Sequence, residues 1–334
     1  MKKLFAFALI AAAACWQLYS AEGMKVLSKI KVGGAGGWDY LTMDPVNRKL
    51  YIAHGNKVDI VDPDAGKVVG AIEQLHGVHG IAVAPDVNRG FITNGQSASV
   101  TIFDLKTFQK VGEPSTNGKN PDAICYEPKT HRIFAVNHGG QDVTLIDAKT
   151  SEIVKTIPTG PGGEFCAVDG AGKIYVNLET SSELVEIDAA KAEVSRKMSL
   201  APCEAPTGLS IDVKNKKLFP VCGNKMMAVV DIPSFKVIAT PAIGPGTDGG
   251  GFDPGLGYAY SANGGDGTLT IVKLVNGKYE AVDNVPTERN ARTMTVDEKT
   301  HRVYLLAADR GPVPEGKKQG PILPDTFHVL VVGK

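Results

Sequence analysis

A chain of 334 residues with 36 basic and 36 acidic side chains has no overall field to draw nucleic acid or an anionic membrane, and no run of five like charges supplies one locally. Hydrophobic residues at 43% and charged residues at 22% are the proportions of an ordinary soluble globular protein. The 38 glycines and 20 prolines are dispersed along the chain, as they are where many short strands are separated by turns.

The first element in the chain reads as an export signal. Lys2 and Lys3 precede an apolar stretch from Leu4 to Ala14, which is the length of a signal-peptide core and too short to span a bilayer. Residues 1–21 are the expected signal peptide, with cleavage after Ala21 and with lipoprotein-type cleavage before Cys15 as the alternative. No other segment approaches the ~18 apolar residues of a transmembrane helix. These features place the mature chain in the periplasm or outside the cell.

From residue 24 onward, three phrases recur in fixed order. The first is an apolar strand ending in a turn: YLTMDP at Tyr40, GIAVAP at Gly80, AICYEP at Ala123 and FCAVDG at Phe165, then GLSIDV at Gly208, GGGFDP at Gly249 and TMTVDE at Thr293. Its copies lie 40 to 44 residues apart. The second is a strand with an aromatic residue, at Tyr51, Phe91, Phe134, Tyr175, Phe219, Tyr260 and Tyr304. The third is an alternating strand that ends in Asp62, Asp104, Asp147, Asp188 and Asp231, with Lys273 in the sixth copy. Short segments such as KVVGAI at Lys67 close most copies as a fourth strand. Four short strands repeated every ~42 residues specify the blades of a propeller, and period-2 alternation favours strands over helices throughout. The expected fold is therefore all-β: one seven-bladed β-propeller over residues 24–334. The seventh copy lacks a fourth strand, and KVLSKIKV at Lys25 has no partner, so the N-terminal strand is expected to complete the C-terminal blade and close the ring.

Phrases such as LYIAHGNKVDIVDPDAGKVVGAI and KTHRIFAVNHGGQDVTLIDAKTSEIVKTI resemble the YVTN-repeat, YncE-like propellers of bacteria, over essentially the whole mature chain. The resemblance implies the architecture and export more than any one activity. DNA binding has been linked to that group, and the balanced charge argues against it here.

In such a ring the innermost strands line a central channel, and the loops entering them gather at one mouth. The residues just before each first phrase are Asp39, His79, Asp122, Glu164, Thr207, Asp248 and Arg292, all polar and six of them ionisable. Convergent titratable groups around a concavity make the expected ligand site; the plainer alternative is that they pair with one another, Arg292 with a carboxylate for instance. His54, His79 and His138, with Asp122 and Glu164, are candidate ligands for a divalent metal ion, because imidazole and carboxylate suit Zn, Mn or Fe. Asn followed by Gly in the neighbouring loops reads first as a tight turn.

Cys203 and Cys222 fall at the same end of blade 5 and are expected to form a disulfide, with free thiols or soft-metal ligation as alternatives. Cys125 and Cys166 lie on adjacent inner strands but count to opposite sides of them, and read as buried small apolar residues. The segment RGPVPEGKKQGPILPD from Arg310 is an exposed insertion and a candidate lid. Haem, zinc-pair, nucleophile-elbow and Walker motifs are absent from the sequence. The expected function is a binding module, expected to be monomeric, that takes a small molecule or a protein partner at the channel mouth, with no certain cofactor. The alternative is a metal-assisted hydrolase: regucalcin-type lactonases are similar in principle, and Glu164, Asn137, Asn177 and Asp248 could imitate their Glu, Asn and Asp set.

Overall fold

The computed structural model describes residues 23–316 and 319–334. The expected signal peptide, including Cys15, lies outside the described residues. Within them each repeat folds into an antiparallel sheet of four strands, and seven such blades stand around a central axis. The first strand of each blade lies innermost, beside the first strand of the next: Trp38–Asp44, Val78–Ala84, Pro121–Glu127, Gly163–Val168, Pro206–Asp212, Thr247–Asp253 and Met294–Asp297. The ring closes as expected. Lys25–Lys31 pairs antiparallel with His328–Gly333, so the N-terminal strand is the outer strand of blade 7.

The apolar core lies between blades rather than within them. Each neighbouring pair encloses one layer, for example Leu50, Ile52 and Val61 of blade 1 against Tyr304, Leu306 and Val329 of blade 7. The seven aromatic residues of the second phrase are at most 1% exposed. They are the large side chains of these layers, and removing one would cost on the order of 3–5 kcal/mol. Blade 5 departs from the repeat at Pro220, which has no N–H to give the ladder. Pairing skips from Val221 and Met227 to Leu218 and Val230, and the third strand breaks in two at that point.

The repeated aspartates are turn caps. Asp62, Asp104, Asp147 and Asp188 each accept backbone N–H groups two and three residues onward, and Asp231 accepts that of Ser234. A side chain that satisfies turn amides in this way fixes the hairpin between strands three and four. In blade 6, where Lys273 replaces the aspartate, the strands run on to a two-residue Asn276-Gly277 turn with positive φ at both residues (48° and 82°). That turn suits the twist of paired strands and needs no cap.

Both mature cysteine pairs are disulfides. Cys203–Cys222 joins the entry loop of blade 5 to the end of its second strand, with Cα atoms 5.6 Å apart, as expected. Cys125–Cys166, with Cα atoms 6.2 Å apart, corrects the reading of these two as separate apolar residues. The side count was right and the conclusion was not. Blades pack face to face, so the face of blade 3 that meets blade 4 is the opposite of the face of blade 4 that meets blade 3. Opposite sides of equivalent strands are therefore what brings Cys125 and Cys166 into one layer.

Candidate functional site

Six of the seven channel-entry residues sit in β-bulges. Pairing of the inner and second strands slips by one residue between Trp38 and Leu41, Val78 and Ile81, Pro121 and Ile124, Gly163 and Phe165, Pro206 and Leu209, and Thr247 and Gly249. Asp39, His79, Asp122, Glu164, Thr207 and Asp248 fall within those slips. A bulged residue is freed from the ladder, and its side chain is re-aimed by the local kink.

Neighbouring blades then pin the bulged backbone. Thr293 Oγ1 donates to the Asp39 carbonyl at 2.8 Å, and the Gly249 amide donates to the Arg292 carbonyl at 2.7 Å. Thr93 donates to the Asp122 carbonyl and Asn177 to the Thr207 carbonyl. Such close approach leaves no room for side chains: a Cβ at Gly80 would meet the Asp122 carbonyl oxygen at 2.7 Å, and one at Gly208 would meet the Gly250 nitrogen at 2.3 Å.

Held in this way, the ring residues and His138 form four contacts. His79 Nδ1 lies 2.5 Å from Asp39 and 3.8 Å from Asp122 Oδ1. His138 Nδ1 lies 2.8 Å from Glu164. Arg292 Nε lies 2.7 Å from Asp248. Tyr40 reaches from blade 1 across the channel to blade 4, where its ring meets Phe165 edge-on at 5.0 Å and its hydroxyl donates to Glu164 at 3.4 Å. Tyr40 and Phe165 thus link blades 1 and 4.

The electrostatics of this cup are unusual. Burial, reinforced by the charge of Asp39, holds the Asp122 carboxyl well above the usual carboxylate range. Burial pushes Asp248 up to about 7, with Arg292 opposing and Asp39 and Glu164 adding. The hydrogen bond to Glu164 raises His138 to about 9. For His79, burial favours the neutral ring, but the hydrogen bond to Asp39 and the charge of Asp122 outweigh it and raise the pKa. Burial and four surrounding carboxylates put the Tyr40 hydroxyl far above its ordinary value. Glu179 is also raised, by burial and then by Glu164.

Not every expected residue joins the group. His54 is 1% exposed, bound to Asp59 at 2.8 Å and packed on Phe327, and it is not brought to His79 or His138. Thr207 stitches blades, its hydroxyl donating to the Thr247 carbonyl at 3.3 Å. Asn137 donates through Nδ2 to Asp142 and Thr144 while its buried Oδ1 has no hydrogen-bond partner, and Asn177 is committed to the Phe165 amide and the Thr207 carbonyl. In the blade 7 insertion, Arg310 is anchored to the Gly320 carbonyl at 2.9 Å, and its pKa is lowered by burial and by the charge of Arg292. Tyr40 and Glu179 were missed. Tyr40 had a signal: its equivalents Gly80, Ala123, Gly208, Gly249 and Thr293 are all small, and only Phe165 matches its size.

Comparisons with known proteins agree with the fold. The solved hydrazine synthase of Kuenenia stuttgartiensis superposes with a TM-score of 0.70 at 20% identity, covering 80% of this chain and 92% of that one, a likeness of fold alone. Antigen Lp49 of Leptospira interrogans is 27% identical over 134 residues, which is 38% of this chain and 29% of the antigen. The uncharacterized protein YncE of Salmonella typhi is 24% identical over 153 residues, 42% of each chain. The matched stretch therefore spans less than half of either relative. Two disulfides suit folding in an oxidising compartment, and no helix among the described residues is long and apolar enough to cross a membrane. A family model described as a domain of unknown function, DUF5074, matches residues 39–205, half of the chain, so this propeller, with YncE-like proteins among its relatives, belongs to that family.

Proposed function

We propose that the chain is an exported binding module whose ligand, a small molecule or a projecting group of a protein partner, sits in the cup at the channel mouth. The observation that carries this reading is the convergence of ionisable side chains from blades 1, 2, 3, 4, 6 and 7 around the Tyr40–Phe165 contact, in surroundings that penalise their charge. Folding alone does not favour a buried carboxyl with nothing to bind. A metal-assisted hydrolase is the less favoured reading, because both amide atoms of Asn177 are already taken by the fold.

Thermal-shift measurements with amino acids, polyamines and sugar lactones test the proposal. At least one compound class should raise the melting temperature of the wild type and leave a Glu164→Ala variant unmoved. A panel that moves neither protein, or moves both equally, counts against a site at the mouth. Hydrolysis of a lactone at a rate that Glu164→Ala abolishes would instead favour the enzyme.

A further inference from the structure

We infer that the cup is built to hold a pair of divalent transition-metal cations bridged by Asp122. This deepens the binding reading of the same mouth and rests on it.

Two sets of ligand atoms occur there. Asp39, His79 and Asp122 form one, and Asp122, His138 and Glu164 the other; within each set the ligand atoms lie within 4.8 Å of one another. Metal–ligand bonds of about 2.0–2.2 Å allow the ligand atoms of one ion to stand no more than ~4.4 Å apart. Each triad is therefore the size of one coordination sphere, or slightly wider, and Asp122 is the member they share. Each supplies one imidazole and two carboxylates, a donor set suited to zinc, manganese or ferrous iron.

An independent feature of Asp122 points the same way. The residue is only 8% exposed, and its Oδ1 is buried with no hydrogen-bond partner. The nearest cation-forming group, His79 Nδ1, stands 3.8 Å away, too far for a hydrogen bond and suited to an intervening ion. A buried carboxylate oxygen without a donor is costly, and a cation between the two removes that cost. The His79–Asp39 and His138–Glu164 contacts, at 2.5 and 2.8 Å, are hydrogen bonds in which a proton holds the place of a metal. Opening them by roughly 0.8 and 0.5 Å gives the ~3.3 Å spacing of two tetrahedral ligands on one ion. Three carboxylates against two divalent cations leave a net charge of +1 on the cluster. Carboxylate-bridged pairs of this kind hold their ions ~3.5–4 Å apart.

The test uses the full mature chain stripped with a chelator and titrated with zinc chloride. Calorimetry, and metal analysis after gel filtration, should find two equivalents per chain. His79→Ala and His138→Ala should each retain one equivalent, and Asp122→Ala should weaken both by at least tenfold. Asp122→Asn, which keeps the volume and removes the charge, stands in if the alanine variant does not fold. Manganese-loaded wild type should show the electron paramagnetic resonance of a coupled pair, and either histidine variant that of an isolated ion. One equivalent in the wild type, two equivalents that survive loss of Asp122, or no uptake overturns the pair. No uptake together with an organic ligand whose effect Glu164→Ala abolishes overturns the metal pair and leaves the binding site standing.

Discussion

The same residue type does opposite work in two regions of this propeller. Asp147 and Asp231, in the turns between strands three and four, are held below the ordinary carboxyl value, Asp147 chiefly by backbone N–H bonds and Asp231, at about 2, by the Ser234 hydroxyl, Lys217 and then the Ser234 amide. Asp122 and Asp248, in the bulges at the channel mouth, are pushed up by burial, Asp248 to about 7. Turn aspartates are ionised because the fold supplies donors for their charge. In the ring, Asp122 Oδ1 is buried without a donor, and Asp248 is raised by burial in spite of its contact with Arg292. Repetition of a residue in a repeat protein thus marks structure, and a repeated position filled by changing polar residues marks a site.

The largest expected effect comes from unclamping the ring. Cys125–Cys166 closes 41 residues and ties the inner strands of blades 3 and 4 a few residues from Asp122 and Glu164. The Cys125→Ala/Cys166→Ala variant should lose roughly 4 kcal/mol in denaturant melts by the chain-entropy relation, and Asp122 should relax toward ordinary acidity. An unchanged midpoint would show that the clamp does not hold the ring in place.

Asp147→Ala should cost about 1 kcal/mol, the usual worth of a side-chain cap, with the loss present at neutral pH and fading only in acid as the wild-type carboxyl protonates. Asp248→Asn should behave in reverse. A carboxyl raised from 3.8 to about 7 on folding weakens the fold progressively as pH rises through that interval. The variant should therefore match the wild type near pH 4 and gain on it by pH 8; parallel stability curves would erase the distinction between the two regions.

A further pH-dependent effect belongs to His138. Its proton is held to about pH 9 in the folded chain against an ordinary 6.5, so the His138–Glu164 pair stabilises fully below about pH 6.5 and its contribution is lost as pH rises through 9. His138→Gln should flatten that part of the stability profile, and a profile identical to wild type would mean that the pair contributes nothing.

Most of the architecture was legible because each repeat states it again: Tyr51 to Tyr304 mark the second strands, Asp62 to Asp231 the turns, and the lone strand at Lys25 the closure. The ring was legible as a column of aligned positions from Asp39 to Arg292. What the column could not convey was direction in space. The bulges that turn Asp39 and Asp122 inward, and the face-to-face stacking that joins Cys125 to Cys166, are relations between strands rather than within one. His54 was grouped with His79 and His138, yet it fills the register position of Asn137 at the end of the second strand, where Asp59 and Phe327 hold it. Tyr40 escaped notice because an aromatic beside an apolar strand reads as core until its small equivalents are compared.

The most direct measurement is a pH titration of the aspartate carboxyl carbons by nuclear magnetic resonance on chelator-stripped protein, with Asp122, Asp248 and Asp231 assigned by substitution. Asp248 should titrate near 7, Asp122 well above 3.8 and Asp231 near 2. If Asp122 and Asp248 instead lose their protons below pH 4 together with the turn aspartates, the mouth is an ordinary polar surface and the account of it as a binding site is contradicted.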